Sequence, residues 1–146
     1  MKNKILAGLF AFISLYILGL AGELTGLRLL LAPFGASCIL LFGFPHSPFI
    51  RPRSLFWGHI ISSSTGILIC WMFPGSLLLA SFAVGLAMVL MLASDTFHPA
   101  AGGNPLLIFH HGPSPEMLIL PFLLGALYLT LLERVHRKAI SSESSF

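Results

Sequence analysis

Charged residues are scarce in this sequence of 146 residues, since Asp, Glu, Lys and Arg together make up 9% of it. Soluble domains carry roughly 25% charged residues, so water is not the main environment of this chain. Hydrophobic residues make up 56%. This imbalance argues against an ordinary soluble domain and favours a membrane protein whose main partner is the lipid bilayer. At this length a single domain is expected.

The sequence also lacks the usual signatures of catalysis, metal binding and nucleic-acid binding. Its two cysteines, Cys38 and Cys70, lie inside apolar runs and indicate neither a disulfide framework nor a zinc site. There is no P-loop, no dinucleotide fingerprint and no cluster of carboxylates, so we expect no enzyme activity and no cofactor. His110 and His111 are adjacent and do not share a helix face, so no metal site is expected. The eight Lys and Arg residues sit at segment ends, which fits membrane topology rather than a nucleic-acid partner.

Six apolar segments fill most of the chain, at positions 5–22, 29–44, 56–73, 76–93, 97–109 and 117–132. A helix needs about 20 residues to span a bilayer, so the first, third, fourth and sixth segments are candidate spans. The first could also be a signal peptide because its start is basic, but its 18 apolar residues favour a span. The second segment is interrupted at Pro33 and Gly35, and the fifth is too short to cross alone.

A weak internal repeat relates the two halves of the sequence. When the sequence is aligned with itself at an offset of 67 positions and without gaps, Gly8 matches Gly75, Gly35 matches Gly102, and Ser37 is paired with Asn104. The alternative is coincidence among residues that are common in membranes. If the repeat is real, its two copies cover about 5–67 and 72–134, and each holds a span, a broken short helix and a second span. Because three crossings reverse the direction of the chain, the second copy is inverted relative to the first.

The predicted fold class is therefore an all-α polytopic membrane protein with two inverted repeats of three segments and paired broken short helices. Residues 1–140 form one transmembrane domain, and the polar tail 141–146 is predicted to be disordered. With six crossings and a cytoplasmic N-terminus, seven Lys and Arg residues are cytoplasmic and only Arg28 is outside. Four crossings with two re-entrant loops would give a split of five to three. Positive residues favour the cytoplasm, so we expect six crossings in the cell membrane, most simply the bacterial inner membrane.

Two glycine-rich stretches interrupted by proline, at 33–37 and 98–104, open the short segments. Proline and glycine disfavour regular helix, and the unpaired N–H groups at the start of the short helix that follows can bind an anion. Two such helix starts facing each other would form a cradle of donors. The alternative is close helix packing through small residues. The residues predicted to contact a substrate are Gly35, Ala36, Ser37, His59, His98, Gly102, Gly103 and Asn104.

Asp95 and His98 are the candidates for proton coupling. They lie three residues apart, a spacing at which helical side chains can pair, and histidine titrates near neutrality. The alternative is that both are solvated at the membrane surface. His59, followed by a run of hydroxyl residues from Ser62 to Thr65, is either a site residue or a core histidine whose hydrogen bonds are satisfied.

These stretches resemble the HPP family of integral membrane proteins, which is named for a His-Pro-Pro motif. The resemblance covers about positions 32 to 109, and its residues are Pro33-Phe34-Gly35-Ala36-Ser37, Leu40-Leu41-Phe42-Gly43, Pro52-Arg53, Gly58-His59, His98-Pro99 and Ala101-Gly102. Members are usually described as having four transmembrane helices, and some are implicated in nitrite transport in plastids and cyanobacteria. The motif differs here, because Ala100 replaces the second proline and Gly103-Asn104 stands where Ala-Thr is usual.

The sequence thus predicts a membrane transporter or channel for a small inorganic anion. The resemblance implies nitrite as the best single candidate. The alternative is a membrane subunit that transports nothing and serves as a scaffold for a partner protein. Because so short a chain exposes much of its surface, we also expect a homo-oligomer whose interface buries faces of small residues.

Overall fold

The computed structural model describes residues 2–29, 31–112 and 115–143, and within them every regular element is a helix. The six α-helices are α1 (Lys2–Thr25), α2 (Ala32–Gly43), α3 (Pro52–Met72), α4 (Leu77–Ala93), α5 (Asn104–His111) and α6 (Pro115–Glu143). Two 3₁₀ segments, Pro48–Ile50 and Pro99–Gly103, precede α3 and α5. The predicted all-helical class is confirmed.

The first predicted break is wrong in its position. Leu31 is extended, and α2 begins at Ala32, so the stretch 33–37 forms the first turns of α2. Proline is tolerated at Pro33 because the N–H groups of the first helical turn have no partner within the helix. The irregular backbone therefore lies before Pro33 and not after it.

The second predicted break is present. A 3₁₀ helix runs from Pro99 to Gly103 and leads directly into α5, which has Pro105 in its first turn. We call Pro99–Gly103 together with α5 the second short segment, and α2 the first short segment. At the end of the chain α6 continues to Glu143, so it includes part of the stretch 141–146 predicted to be disordered. Residues 144–146 lie outside the described residues.

Contacts between the helices show how two neighbouring pairs of helices are oriented. Arg53, at the start of α3, donates a hydrogen bond to the carbonyl of Ser94, just after α4, at 2.8 Å. In α1 and α2, the ring of Phe10 stacks on that of Phe42, and Gly22 lies against Leu29. These pairs require α1 to be antiparallel to α2, and α3 to be antiparallel to α4.

Two glycines on α3 allow the second short segment to pack directly on the helix backbone. A Cβ added at Gly58 would lie 2.7 Å from the His98 Cβ, and one at Gly66 would lie 2.8 Å from the Pro105 Cα. The second short segment consequently runs alongside α3 in the same direction. Gly125 on α6 has the equivalent role for the first short segment, because an added Cβ there would overlap the ring of Phe34.

Large apolar side chains cover the outside of the helices, and polar side chains lie inside. Leu24, Leu77 and Leu78 are about four-fifths exposed, whereas Ser62 and Asn104 have no exposed surface. The surface is therefore apolar, unlike that of a soluble protein, and suits a lipid environment. Among the described residues, Lys4–Thr25 and Pro52–Met72 are helical stretches long and apolar enough to cross a membrane, while α2 and α4 are shorter apolar helices.

Candidate functional site

Four polar side chains from separate parts of the chain meet in the interior. Ser37 comes from α2, His59 from α3, His98 from the residue before the second short segment, and Asn104 from the start of α5. All four are fully buried. We call these four residues the polar cluster. Each of them was predicted from the sequence as a substrate contact.

Hydrogen bonds join the four members of the polar cluster in one chain. The Ser37 Oγ lies 3.0 Å from the His59 Nε2 and 2.8 Å from the His98 Nε2. On the far side of His59, the Asn104 Nδ2 lies 3.1 Å from the Nδ1 of that ring. On the far side of His98, the Nδ1 lies 2.7 Å from the Phe49 carbonyl oxygen. Ser37 is therefore the link between the two imidazoles.

The polar cluster is held by a second set of contacts. The Asn104 Nδ2 also donates to the Ser63 Oγ at 2.8 Å, and Ser63 donates to the His59 carbonyl at 2.7 Å. The Phe34 ring packs edge-on against the His59 imidazole with the ring centroids 5.0 Å apart. These contacts fix the orientation of the His59 ring from two sides.

One helical turn after His59 on α3, a hydroxyl group bonds the second short segment to that helix. Ser62 donates to the Ala101 carbonyl at 2.7 Å. Because Gly58 and Gly66 already bring the two backbones together, this bond fixes the register at which His98 and Asn104 approach His59. The geometry of the polar cluster thus depends on the small residues around it.

The remaining predicted contacts do not reach the polar cluster. Added Cβ atoms at Gly35 and Gly102 would meet nothing within 4 Å, and Ala36 is exposed. Ala36 and Gly103 instead line an open groove of about 420 Å³ between the two short segments. The other residues that line this groove are Ala32, Pro33, Ala100, Leu106, Leu107 and His110. Pro33 also lies next to Gly103, with 3.6 Å between its Cγ and an added Cβ, so the two helix starts are adjacent as predicted.

The predicted pairing of Asp95 with His98 does not occur. Asp95 has a positive φ of 54° in the turn that ends α4, and its side chain is exposed. His98 is fully buried and bonds instead to the Phe49 carbonyl and to Ser37. The pairing fails because α4 ends at Ala93, so the two residues never share a helix face.

Sequence reasoning missed two partners of the polar cluster. The Phe49 carbonyl carries no side-chain signal, and only the fold brings it to His98. Ser63 was noted only as one of a run of hydroxyls, although its spacing of four residues from His59 places both on one helix face.

A second buried polar group, Glu133 on α6, was also missed. It is 1% exposed and pairs with Arg137 one turn further along, while its Oε2 atom has no hydrogen-bond partner. A carboxylate directly after the apolar run that ends at Leu132 was the available signal. A separate open cavity of about 450 Å³ is lined by Glu23, Arg28 and His111, among others, next to the start of α2.

Comparisons with known proteins agree with this membrane architecture. The chain matches the HPP transmembrane region over residues 1–144. It is also 27% identical over 113 residues to a protein of Dictyostelium discoideum named as a transmembrane protein, covering 72% of this chain and 40% of that protein. A second Dictyostelium discoideum protein with the same kind of name is 37% identical over 82 residues, covering 53% of this chain and 26% of that protein.

The protein is thus an all-helical membrane protein. It belongs to the HPP family, since the family match extends over almost the whole chain. The chain spans less than half the length of both Dictyostelium relatives. No solved structure matches it.

Proposed function

We propose that this protein transports a small inorganic anion across a membrane, with nitrite as the best single candidate. The observation that carries the proposal is the polar cluster, which places four hydrogen-bonding side chains at full burial inside an apolar helical protein. Polar residues inside a membrane are expensive to place there and by default mark a pathway or a binding site. Nitrite as the substrate is supported by the resemblance to HPP family members implicated in nitrite transport.

The groove between the two short segments is the place where we expect the anion to approach the polar cluster. Its walls include Ala36, Gly103 and Pro33, and the Pro33 carbonyl oxygen lies 2.9 Å from the Ser37 Oγ. Small side chains on both walls let an anion approach backbone groups. Both helix starts have a proline in the first turn, so they offer fewer N–H donors than the sequence suggested. Side chains of the polar cluster therefore supply part of the binding.

Two inverted repeats and six crossings form part of the same proposal. The directions of the helices support it, because α1 is antiparallel to α2 in the first half, and α4 is antiparallel to α5 in the second half. Paired broken helices in inverted repeats are typical of secondary transporters, whose sites lie where the breaks meet. The polar cluster takes Ser37 from one short segment and Asn104 from the other, which are equivalent positions in the repeat.

The number of crossings can be tested with single cysteines in a background without Cys38 and Cys70. Thr25 and His46 are both exposed, at the two ends of the first short segment. With six crossings, T25C and H46C should react with a membrane-impermeant maleimide from opposite sides. Reaction from the same side would show that the first short segment is re-entrant, and would contradict the inverted repeat.

The transport function can be tested with purified protein in liposomes. We expect nitrite uptake above that of protein-free liposomes, and we expect S37A to abolish the increment. The matched control is S81A, which removes an exposed hydroxyl that bonds to its own helix on α4. If the wild-type protein adds nothing to the uptake of nitrite, nitrate or chloride, the transport proposal is wrong.

The second candidate function is a membrane scaffold subunit, favoured by the large exposed apolar side chains on α1 and α4, such as Phe12 and Leu77. Flux by the purified protein alone would contradict a purely scaffolding role. A homo-oligomer is compatible with both functions, and the mass of the protein in detergent by light scattering would determine it.

A further inference from the structure

The hydrogens of the polar cluster can be assigned from its donors and acceptors. A carbonyl oxygen can only accept, so the His98 Nδ1, which lies 2.7 Å from the Phe49 oxygen, must carry a hydrogen. In a neutral imidazole the other nitrogen is then an acceptor. The His98 Nε2 therefore accepts the hydrogen of the Ser37 hydroxyl, 2.8 Å away.

The same reasoning fixes the opposite tautomer on His59. An amide nitrogen can only donate, so the His59 Nδ1, 3.1 Å from the Asn104 Nδ2, must be the acceptor. The His59 Nε2 consequently carries the hydrogen and donates to the Ser37 Oγ at 3.0 Å. All four hydrogen bonds then have the same donor-to-acceptor direction, from Asn104 through His59 and Ser37 to His98 and the Phe49 carbonyl.

Two acceptors within reach of this chain receive no hydrogen from its side chains. The Ser37 hydroxyl has a single hydrogen, so it cannot serve the Pro33 carbonyl at 2.9 Å while it donates to His98. The Asn104 Oδ1 is buried and has no hydrogen-bond partner. Unsatisfied buried acceptors are uncommon in native proteins and call for a specific explanation. Each of these two acceptors adjoins one of the imidazoles.

We propose that the polar cluster is a proton-binding site, in which rotation of the Ser37 hydroxyl and the Asn104 amide accommodates one extra proton on either imidazole. This inference rests on the proposed anion transport and names the proton as the second ligand of the same site. It differs from the sequence prediction, because the partner of His98 is Ser37 with His59 and not Asp95.

In each protonated form the added hydrogen finds an acceptor without any movement of the backbone. If the proton binds the His98 Nε2, that nitrogen donates to the Ser37 Oγ and the hydroxyl hydrogen turns to the Pro33 carbonyl. If the proton binds the His59 Nδ1, a half-turn of the Asn104 amide places the Oδ1 where the Nδ2 lies now, 3.1 Å away. The Ser63 hydroxyl then turns to donate to that oxygen, and the amide nitrogen takes the position at which the Oδ1 has no partner. The unused acceptors are thus the groups that an additional hydrogen requires.

The elements around the polar cluster give the extra proton no counter-charge. The ionisable groups among their described side chains are Cys38 on α2, Arg51 and Arg53 at the start of α3, Cys70 on α3, Asp95 after α4, His110 and His111 on α5, and Tyr128, Glu133, Arg134, His136 and Arg137 on α6. Within the described residues, none of these groups hydrogen-bonds to a member of the polar cluster. An anion in the adjacent groove would supply the missing charge, so anion and proton should favour each other's binding, as reciprocal linkage requires.

The test begins with proton uptake by the purified protein in detergent. Sodium nitrite is added to a weakly buffered sample near pH 6.5, and a pH indicator follows the proton uptake, with protein-free detergent subtracted. We expect roughly one proton to be taken up per nitrite bound. H59Q and H98Q should each reduce the uptake to less than half, whereas the control H46Q, at an exposed histidine in the loop after α2, should keep it.

Nitrogen NMR of the wild-type protein with labelled histidine provides a measurement that does not depend on the variants folding. At high pH we expect one buried histidine protonated on Nδ1 and one on Nε2. Between pH 8 and 5 at least one of these rings should gain its second proton. Two histidines of the same tautomer, or rings that stay neutral over this range with nitrite present, would overturn the proton site.

The two proposals can fail separately. Nitrite flux in liposomes with no proton uptake and unchanged neutral rings would leave transport intact and remove the proton site. Protonation of the rings without any flux would retain the proton site and remove the transport function.

Discussion

The two short segments differ in the way their backbones begin, although the sequence treats them as equivalent. The first, α2, is regular helix from Ala32 and contributes one polar side chain, Ser37, to the interior. The second opens with a 3₁₀ helix at Pro99–Gly103 and places His98 before it and Asn104 after it. The irregular start of the second short segment thus brings two polar side chains into the interior. The regular start of α2 brings one hydroxyl group, which connects them.

The difference follows from where each segment is packed. The second short segment lies against backbone at Gly58 and Gly66, where α3 has no side chains, and Ser62 holds the Ala101 carbonyl. The first short segment packs through the ring of Phe34, which lies on Gly125 and next to Phe122. A 3₁₀ segment can exist in the interior because α3 satisfies one of its carbonyls.

The largest effect is expected from G66L. The Cβ of a residue at this position would lie 2.8 Å from the Pro105 Cα and 3.0 Å from the Ile108 Cδ1, so α5 would have to move. Overpacking typically costs about 1–3 kcal/mol and can cost more against backbone. We expect loss of the monodisperse peak in size-exclusion chromatography. The control is G85L, in the middle of α4, where an added Cβ meets nothing; equal behaviour of the two variants would contradict direct backbone packing.

The next effect tests whether both short segments contribute to one site. S37A leaves the Nε2 atoms of His59 and His98 without their common partner, and N104A leaves the His59 Nδ1 without its donor. An unsatisfied buried group costs about 1–3 kcal/mol, so we expect nitrite flux to fall roughly tenfold or more in each variant. Flux is measured in liposomes at matched protein levels. If only N104A is impaired, the second short segment forms the site alone.

A third effect concerns the glycines that the repeat aligns. G35V and G102V should leave the fold intact, because added Cβ atoms meet nothing within 4 Å, while each variant places a larger side chain next to a residue of the groove wall, Ala36 or Gly103. We expect reduced nitrite flux with an unchanged melting temperature. Flux close to that of the wild type in both variants would assign these glycines to packing or to the lipid surface.

The smallest effect concerns the helices around the first short segment. The Tyr128 hydroxyl of α6 donates to the Ser14 carbonyl of α1 at 3.1 Å. Y128F should lower the free energy of unfolding by about 0.5–1.5 kcal/mol and leave the pH response of flux unchanged. The control is Y16F, whose hydroxyl belongs to an exposed residue of α1. A larger loss in Y16F than in Y128F would show that the bond to Ser14 contributes nothing.

Much of the polar cluster could be predicted from the sequence, because its four side chains are polar residues beside proline and glycine in an apolar chain. Aligning the sequence with itself at an offset of 67 positions pairs Ser37 with Asn104. The start of α2 could not be predicted, since Pro33 is compatible with both a helix start and a break. The partner of His98 could not be predicted either, because a turn at Asp95 and a backbone carbonyl at Phe49 decide it.

The glycine contacts on α3 also determine which parts of the molecule can move separately. Gly58 and Gly66 bring the backbones of α3 and the second short segment into direct contact, so we expect the two to move as one rigid body. His59, His98 and Asn104 all belong to that body, and Ser37 belongs to the neighbouring helix. A displacement of α2 by little more than the length of a hydrogen bond would therefore disconnect the two imidazoles. The hydrogen-bonded connection between the two imidazoles would then exist only in the position of α2 at which the Ser37 hydroxyl reaches both rings.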